Sequence, residues 1–305
     1  EPAYDNGSRV HTNSWGSAVN GQYTTSSAQA DASAHILWDM AILFAAGNEG
    51  TDGNSDGEVD LDSMSSPGTA KNVITVGATE NDRSSVTSTW GGWWPGDYPT
   101  NPINSDRQAN NIEGMAAFSS RGPTDDSRLK PDVSAPGAWI LSTKSRDTTD
   151  VGWSAYNTSY TYMGGTSMAT PLAAGAAGII QQLYEGGWIV PAGEDLTTRR
   201  FSGIQPSWVD DVRTDSVRLG NGFTPSGSLL RASLAMAASP LPEDVRNGGN
   251  GGHDLHNPYD GWGVLNLSQL FDPTTLAPQR TPSYDMWVHD SFQLKSGTVD
   301  DWFAT

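Results

Sequence analysis

The stretch Ala41-Ile42-Leu43-Phe44-Ala45-Ala46 is apolar at every position and stops at Gly47. A strand with one face in water alternates polar and apolar residues. A strand covered on both faces does not alternate, and such strands belong to parallel sheets flanked by helices. Val73–Val76, bounded by Gly77, repeats the pattern with a single Thr. Arg9 to Ser14 reads as a short strand after the turn signal Asp5-Asn6-Gly7. Ser26 to Trp38 carries Ala, His, Ile and Leu at helical spacing. Thr166 to Glu185 reads as an Ala/Gly-rich helix stopped by Gly186-Gly187, with Pro171 in its first turn or so, where a missing N–H is tolerated. Gly227 to Ala238 reads as another buried helix. Strand and helix in alternation predict an α/β fold with a mostly parallel central sheet flanked by helices.

The chain has 305 residues, enough for one large domain or one plus part of another. Residues 1–270 read as the compact domain, closed by Gly261-Trp262-Gly263-Val264-Leu265-Asn266. From about residue 272 the texture changes to short alternating segments, and 271–305 reads as the incomplete beginning of a separate all-β domain. Net charge is −18, a field that repels nucleic acid and anionic lipid. Neither is expected as a partner. No run of eighteen apolar residues offers a membrane span. Cysteine is absent, which excludes disulfides, thiolate metal sites and thiol nucleophiles. Residues 83–112 read as an excursion rich in Trp, Gly and Pro. It is either a self-packed surface loop or an aromatic wall beside a substrate cleft.

Chemistry concentrates in Gly164-Gly165-Thr166-Ser167-Met168-Ala169-Thr170-Pro171. A serine where a glycine turn enters a helix presents its hydroxyl at the helix N-terminus, where free N–H groups favour developing negative charge. The glycines leave room for a substrate backbone. An ordinary helix cap after a glycine turn has the same local pattern. Other segments add to it. In Ala45-Ala46-Gly47-Asn48-Glu49-Gly50 an Asn just past a sheet strand can point its amide into a cleft. His11-Thr12-Asn13-Ser14-Trp15-Gly16-Ser17, Phe118-Ser119-Ser120-Arg121-Gly122-Pro123 and Lys130-Pro131-Asp132-Val133-Ser134-Ala135-Pro136-Gly137 complete the set.

These five segments, in this order, resemble the subtilase family of serine peptidases, over about residues 8 to 268. The start and the suspected β tail most resemble large alkaline subtilases with a C-terminal β-sandwich. The resemblance implies a subtilisin-like fold and a serine endopeptidase acting on protein or peptide substrates. Ser167 would be the nucleophile. The Asn48 side chain and the Ser167 N–H would hold the oxyanion. Ser14, Trp15 and Gly16 would pair with the substrate as an extended strand, with Gly165 and Thr166 also at the substrate. Ala45, Ala46 and Gly47 would line the specificity pocket, with Glu49 at its rim and Ser65 near its floor. Pro67 becomes a candidate cis-proline. A non-catalytic, peptide-binding or scaffold relative is the alternative. An extracellular location is inferred from the resemblance and the acidic, cysteine-free composition.

The resemblance also implies an Asp and a His upstream of the Ser14 segment, and neither segment is present. His11 lies inside the substrate-strand motif, and Asp5 precedes it too closely. The expectation is a fragment whose missing N-terminal part supplies both groups, and which is inactive by itself. A serine without a base is a weak nucleophile.

Asp52-Gly53-Asn54-Ser55-Asp56-Gly57-Glu58-Val59-Asp60 places oxygen-bearing residues at alternate positions with Gly at the sixth, which matches a calcium loop. Asp52, Asn54, Asp56, Glu58 and Asp60 are the candidate ligands of a structural Ca²⁺. Position twelve is Ser63 rather than Glu, so a bidentate ligand would come from elsewhere, such as Asp62. A solvated acidic loop is the other reading. His253-Asp254-Leu255-His256 reads as a structural loop rather than a metal site.

Overall fold

The computed structural model describes residues 2–186, 195–196, 199–200, 223–242 and 256–270. The suspected β domain, and His253 and Asp254, lie outside them. The central sheet contains β1 (Val10–Asn13), β2 (Ala41–Ala45), β3 (Ile74–Thr79), β4 (Val133–Pro136), β5 (Ala238–Ser239) and β6 (Val264–Leu265). Its spatial order is β1-β2-β3-β4-β6-β5. β1 through β4 and β6 run parallel, with Val10 opposite Ala41, Leu43 opposite Ile74 and Val76 opposite Val133. β5 closes the edge antiparallel to β6. The sheet is thus the mostly parallel one the apolar runs imply.

Every residue of β2 and β3 is buried. Alternate residues of β2 explain why. Ala41 and Leu43 join the main core, while Ile42 and Phe44 join a second core on the opposite face. Helix α1 (Thr25–Ile36) contributes Ala30 to that second core. Helices α2 (Thr166–Glu185) and α3 (Gly227–Met236) supply the main one. α1 buries less apolar surface than its spacing suggests, since its most buried residue is Ser27, whose hydroxyl bonds those of Ser66 and Thr69. α3 stops two residues early because Ala238 leaves to pair with Leu265. Among the described residues no helix is long and apolar enough to cross a membrane.

α2 packs across β1, β2, β3 and β4. Its buried face repeats at three- and four-residue intervals through Ala169, Ala173, Ala176, Ala177 and Ile180. The small side chains let the helix lie close to the sheet. Pro171 sits deeper than the free first turn. It cannot donate to the carbonyl of Ser167, one turn back. The Ser14 hydroxyl donates to that carbonyl instead, at 2.9 Å.

The excursion at 83–112 is fastened to the sheet by Glu80, which is fully buried just past β3. Its carboxyl oxygens accept from Trp90 Nε1 at 3.1 Å and from the N–H groups of Asn110 and Asn111, each at 3.2 Å. Burial, and then the nearby Asp106 carboxylate, push its carboxyl up to about 9, with the three N–H donors acting in the opposite sense.

A second buried charge centre joins β4 to α3. Asp132 accepts from Lys130 Nζ at 2.6 Å, Thr75 N at 2.7 Å and Arg231 Nε at 3.0 Å. Burial lowers the Lys130 ammonium to about 8, although the paired Asp132 opposes that shift. Burial raises the Asp132 carboxyl, but Lys130 and Arg231 outweigh it and hold it below its ordinary value. Replacing Asp132 by Asn leaves a buried ammonium without its counter-charge. Such a loss costs about 3–5 kcal/mol. Urea unfolding of Asp132→Asn is expected to show a drop of that size, and a change below about 1 kcal/mol would contradict the account.

Candidate active site

In an open parallel sheet, the loops leaving the carboxyl ends of the strands gather at one edge. Ser14 follows β1, Asn48 follows β2 and Gly137 follows β4. The Gly165 N–H donates to the Gly137 carbonyl at 2.9 Å, bringing the N-terminus of α2 to the same edge. Ser167 is the second residue of that helix and is half-buried.

Asn48 and α2 are joined directly. Asn48 Oδ1 accepts from Thr166 N at 2.8 Å and from Thr166 Oγ1 at 3.0 Å. Thr166 Oγ1 is also 3.2 Å from the Gly47 carbonyl. With its oxygen held by two donors, the amide directs Nδ2 outward. Gly165 has φ +145 and ψ 160, a backbone that side chains disfavour. The space a side chain there would fill is 3.6 Å from both Asn48 Nδ2 and Ser167 N and 3.7 Å from Asn48 Oδ1. Two N–H-bearing nitrogens therefore lie close to one small volume at the head of α2. Ser167 Oγ lies 3.4 Å from the Ser14 carbonyl, and Ser14 Oγ returns a bond to the Ser167 carbonyl. No histidine hydrogen-bonds Ser167 Oγ among the described residues. His11 is exposed on β1, with Nδ1 2.8 Å from Asn13 Nδ2.

The remaining candidates are distributed around this point. Ser14, Trp15 and Gly16 are exposed just beyond β1, and the Trp15 ring stands edge-on to Phe44 at 5.3 Å. Ala45 and Ala46 are buried and Gly47 half-buried. Ser65 is buried beside them, its N–H donating to the Ala46 carbonyl at 2.9 Å. Ser66-Pro67 is cis. The 118–120 segment braces the Asn48 loop. Ser120 N donates to the Gly47 carbonyl, Gly50 N to the Phe118 carbonyl and Glu49 N to Ser120 Oγ.

A cavity of about 340 Å³ opens next to the two donors. It is lined by Asn48, Glu49, Gly50, Thr51, Gly164 and Gly165 together with Trp94, Asp97, Tyr98, Phe118 and Trp153. The excursion is therefore both self-packed and a wall. Trp90 is buried within it, while Trp94 and Tyr98 face the cavity. Trp153 was not legible as a site residue. It sits in no motif, and only its contact with Gly164 reveals it, since a side chain at Gly164 would overlap its ring.

The acidic loop is closed by its own N–H groups. Asp52 is buried, and its two carboxylate oxygens accept from Asp56 N and Gly57 N at 2.9 and 3.1 Å. Asp56 Oδ1 accepts from Glu58 N, and Asn54 Oδ1 from Asp56 N. Asp60 accepts from Gly53 N at 2.7 Å and Asn54 Nδ2 at 2.9 Å. Among the described residues no three His, Asp or Glu side chains form a group able to hold a metal ion.

Residues 1–200 match the profile of the subtilase family. The serine protease/ABC transporter B family protein tagD of Dictyostelium discoideum is 30% identical over 366 residues, covering 99% of this chain and 18% of that protein. Serine protease AprX of Bacillus subtilis is 34% identical over 151 residues, covering 47% of this chain and 26% of that protein. The chain thus spans about a quarter or less of these relatives. In fold, it is similar to the solved structure of the prenylagaramide maturation protease PagA, with TM-score 0.50, 16% identity and coverage of 88% of this chain and 62% of that one.

The Trp153–Gly164 contact makes a prediction. Gly164→Ala must push the indole out of place, an overpacking cost of about 1–3 kcal/mol. Chemical unfolding should show that loss together with a shift in tryptophan emission. An unchanged midpoint and spectrum would show that the ring does not rest on the turn.

Proposed function

The chain belongs to the subtilase family of serine peptidases, and on that premise we propose endopeptidase chemistry through an acyl-enzyme on Ser167. The observation that carries it is the shared volume 3.6 Å from Asn48 Nδ2 and Ser167 N, at the head of the helix bearing the hydroxyl. A substrate carbonyl oxygen placed there gains negative charge as Ser167 Oγ attacks its carbon. Both N–H groups then bond the oxyanion, and the α2 dipole adds to them. The Ser167 proton passes to a base, which returns it to the departing amine. Water repeats the sequence on the ester and frees Ser167. Ser14, Trp15 and Gly16 offer backbone to an extended peptide, as in β-augmentation. Ala45, Ala46, Gly47 and Ser65 border the pocket for the residue before the cleaved bond.

The base is an imidazole oriented by a carboxylate, supplied by further sequence of the same protein. The 305 residues alone are then inactive. In a form that includes those groups, Ser167→Ala is expected to abolish peptide hydrolysis, and Asn48→Ala to lower kcat by about 10²–10³, a magnitude established on a relative of this family rather than derived from this geometry. Turnover by the 305 residues alone, lost in Ser167→Ala, would overturn the missing-base reading. A complete protein that binds peptides without cleaving them would replace the peptidase with a peptide-binding scaffold.

A structural calcium ion at residues 52–60 is a separate proposal with no step in the reaction. An ion there would share the carboxylate oxygens of Asp52, Asp56 and Asp60 with the N–H groups that bond them. Thermal melting is expected to shift upward in millimolar Ca²⁺, and the shift to vanish in Asp56→Asn. No shift in the parent chain would remove the ion.

A further inference from the structure

The cavity beside Asn48 is distinct from the pocket assigned to the residue before the cleaved bond. Ser14, Trp15, Gly16, Ala45, Ala46, Gly47 and Ser65 do not line it, and the two share only the rim residue Glu49. Gly164 and Gly165, which lead into the helix bearing Ser167, line it, and the Ser14–Gly16 strand does not. A peptide running along that strand and past Ser167 would enter it with residues that follow the scissile bond.

Its chemistry is specific. Trp94, Tyr98, Phe118 and Trp153 present ring faces and edges, with Trp94 and Trp153 centroids 5.8 Å apart and Phe118 and Trp153 6.0 Å apart. The walls carry two carboxylates, Glu49 and Asp97, and no Lys or Arg. Both carboxylates are exposed, and neither has an ion-pair partner among the described residues. Tyr98 is not a free donor, because its hydroxyl bonds the Gly50 carbonyl at 2.8 Å. Aromatic faces with carboxylates and no cation complement a positive charge. The same aromatic cluster already holds one guanidinium elsewhere, since Arg83 lies 5.3 Å from the Tyr162 ring centroid and Tyr162 packs on Trp139. The volume, at the small end of ligand pockets of about 300–1,000 Å³, suits one side chain rather than a large ligand.

We infer that this cavity is a specificity site for an arginine or lysine side chain on the leaving-group side of the cleaved bond. The inference rests on the peptidase reading for its place in the reaction, but not for the binding itself. Binding can therefore be tested on the 305-residue chain without turnover. Calorimetry with blocked Ala-Arg-Ala is compared with the citrulline analogue, which keeps the shape and lacks the charge, and with Ala-Glu-Ala and Ala-Phe-Ala. The arginine peptide is expected to bind tightest, by about three- to thirtyfold over citrulline, and to weaken with salt. Glu49→Gln and Asp97→Asn alter exposed side chains and should preserve the fold. Each is expected to erase most of that preference. Glu185→Gln, at the other end of α2 about 30 Å away, should not. Equal binding of arginine and citrulline peptides, tighter binding of the phenylalanine peptide, or equal loss in Glu185→Gln would each overturn the site. Arginine-selective binding in a complete protein without hydrolysis would sink the peptidase reading and leave the cage standing. Hydrolysis indifferent to the leaving-side residue would do the reverse.

Discussion

The amide of Asn48 is fixed by what holds its oxygen. Thr166 offers both its backbone N–H and its hydroxyl to that single atom, so the nitrogen has one direction left. Thr166 is also the first residue of the helix that carries Ser167. The loop after one strand and the start of a distant helix therefore share one joint, and the two nitrogens close to Gly165 are placed together rather than separately. The supporting shell is equally specific, with the 118–120 segment bonding residues 47, 49 and 50.

The sheet explains why these segments meet. Four parallel strands end at one edge, and the helix that crosses them starts there. Its alanine face lets it approach closely, so Ser14 and Ser167 come within hydrogen-bond reach across 153 positions of sequence. The buried Lys130–Asp132–Arg231 centre ties β4 to α3 on the same scaffold. The Glu80 anchor holds the tryptophan-rich excursion where it can reach the cavity.

Much of this was legible in the residues. The unbroken apolar run at 41–46 required burial on two faces, and β2 has it. Both ends of α2 followed from the glycines that flank it. The end of α3 did not, because Ala238 continues a helical pattern locally and is taken by Leu265, a partner 27 positions away. The proximity of Asn48 to Ser167 was implied by resemblance, but the orientation of its amide depends on Thr166 and on no spacing rule. The cavity was half legible. Aromatic residues at 90–98 advertised a wall, and Phe118 opens a motif segment that assigned it no place there, whereas Trp153 arrives from another segment with no local signal. In the 52–60 loop, spacing tells which residues carry oxygen. It does not tell that backbone N–H groups already use those oxygens.

Pro171 has an effect beyond its own turn. By withholding one donor it opens a gap in the ladder of α2, and the hydroxyl of residue 14 fills that gap from outside. A rung of the helix thus belongs to another part of the chain. Ser14 and the peptide unit of Ser167 are thereby tied to each other directly. The tie runs from side chain to main chain, with no intervening side chain between the two segments.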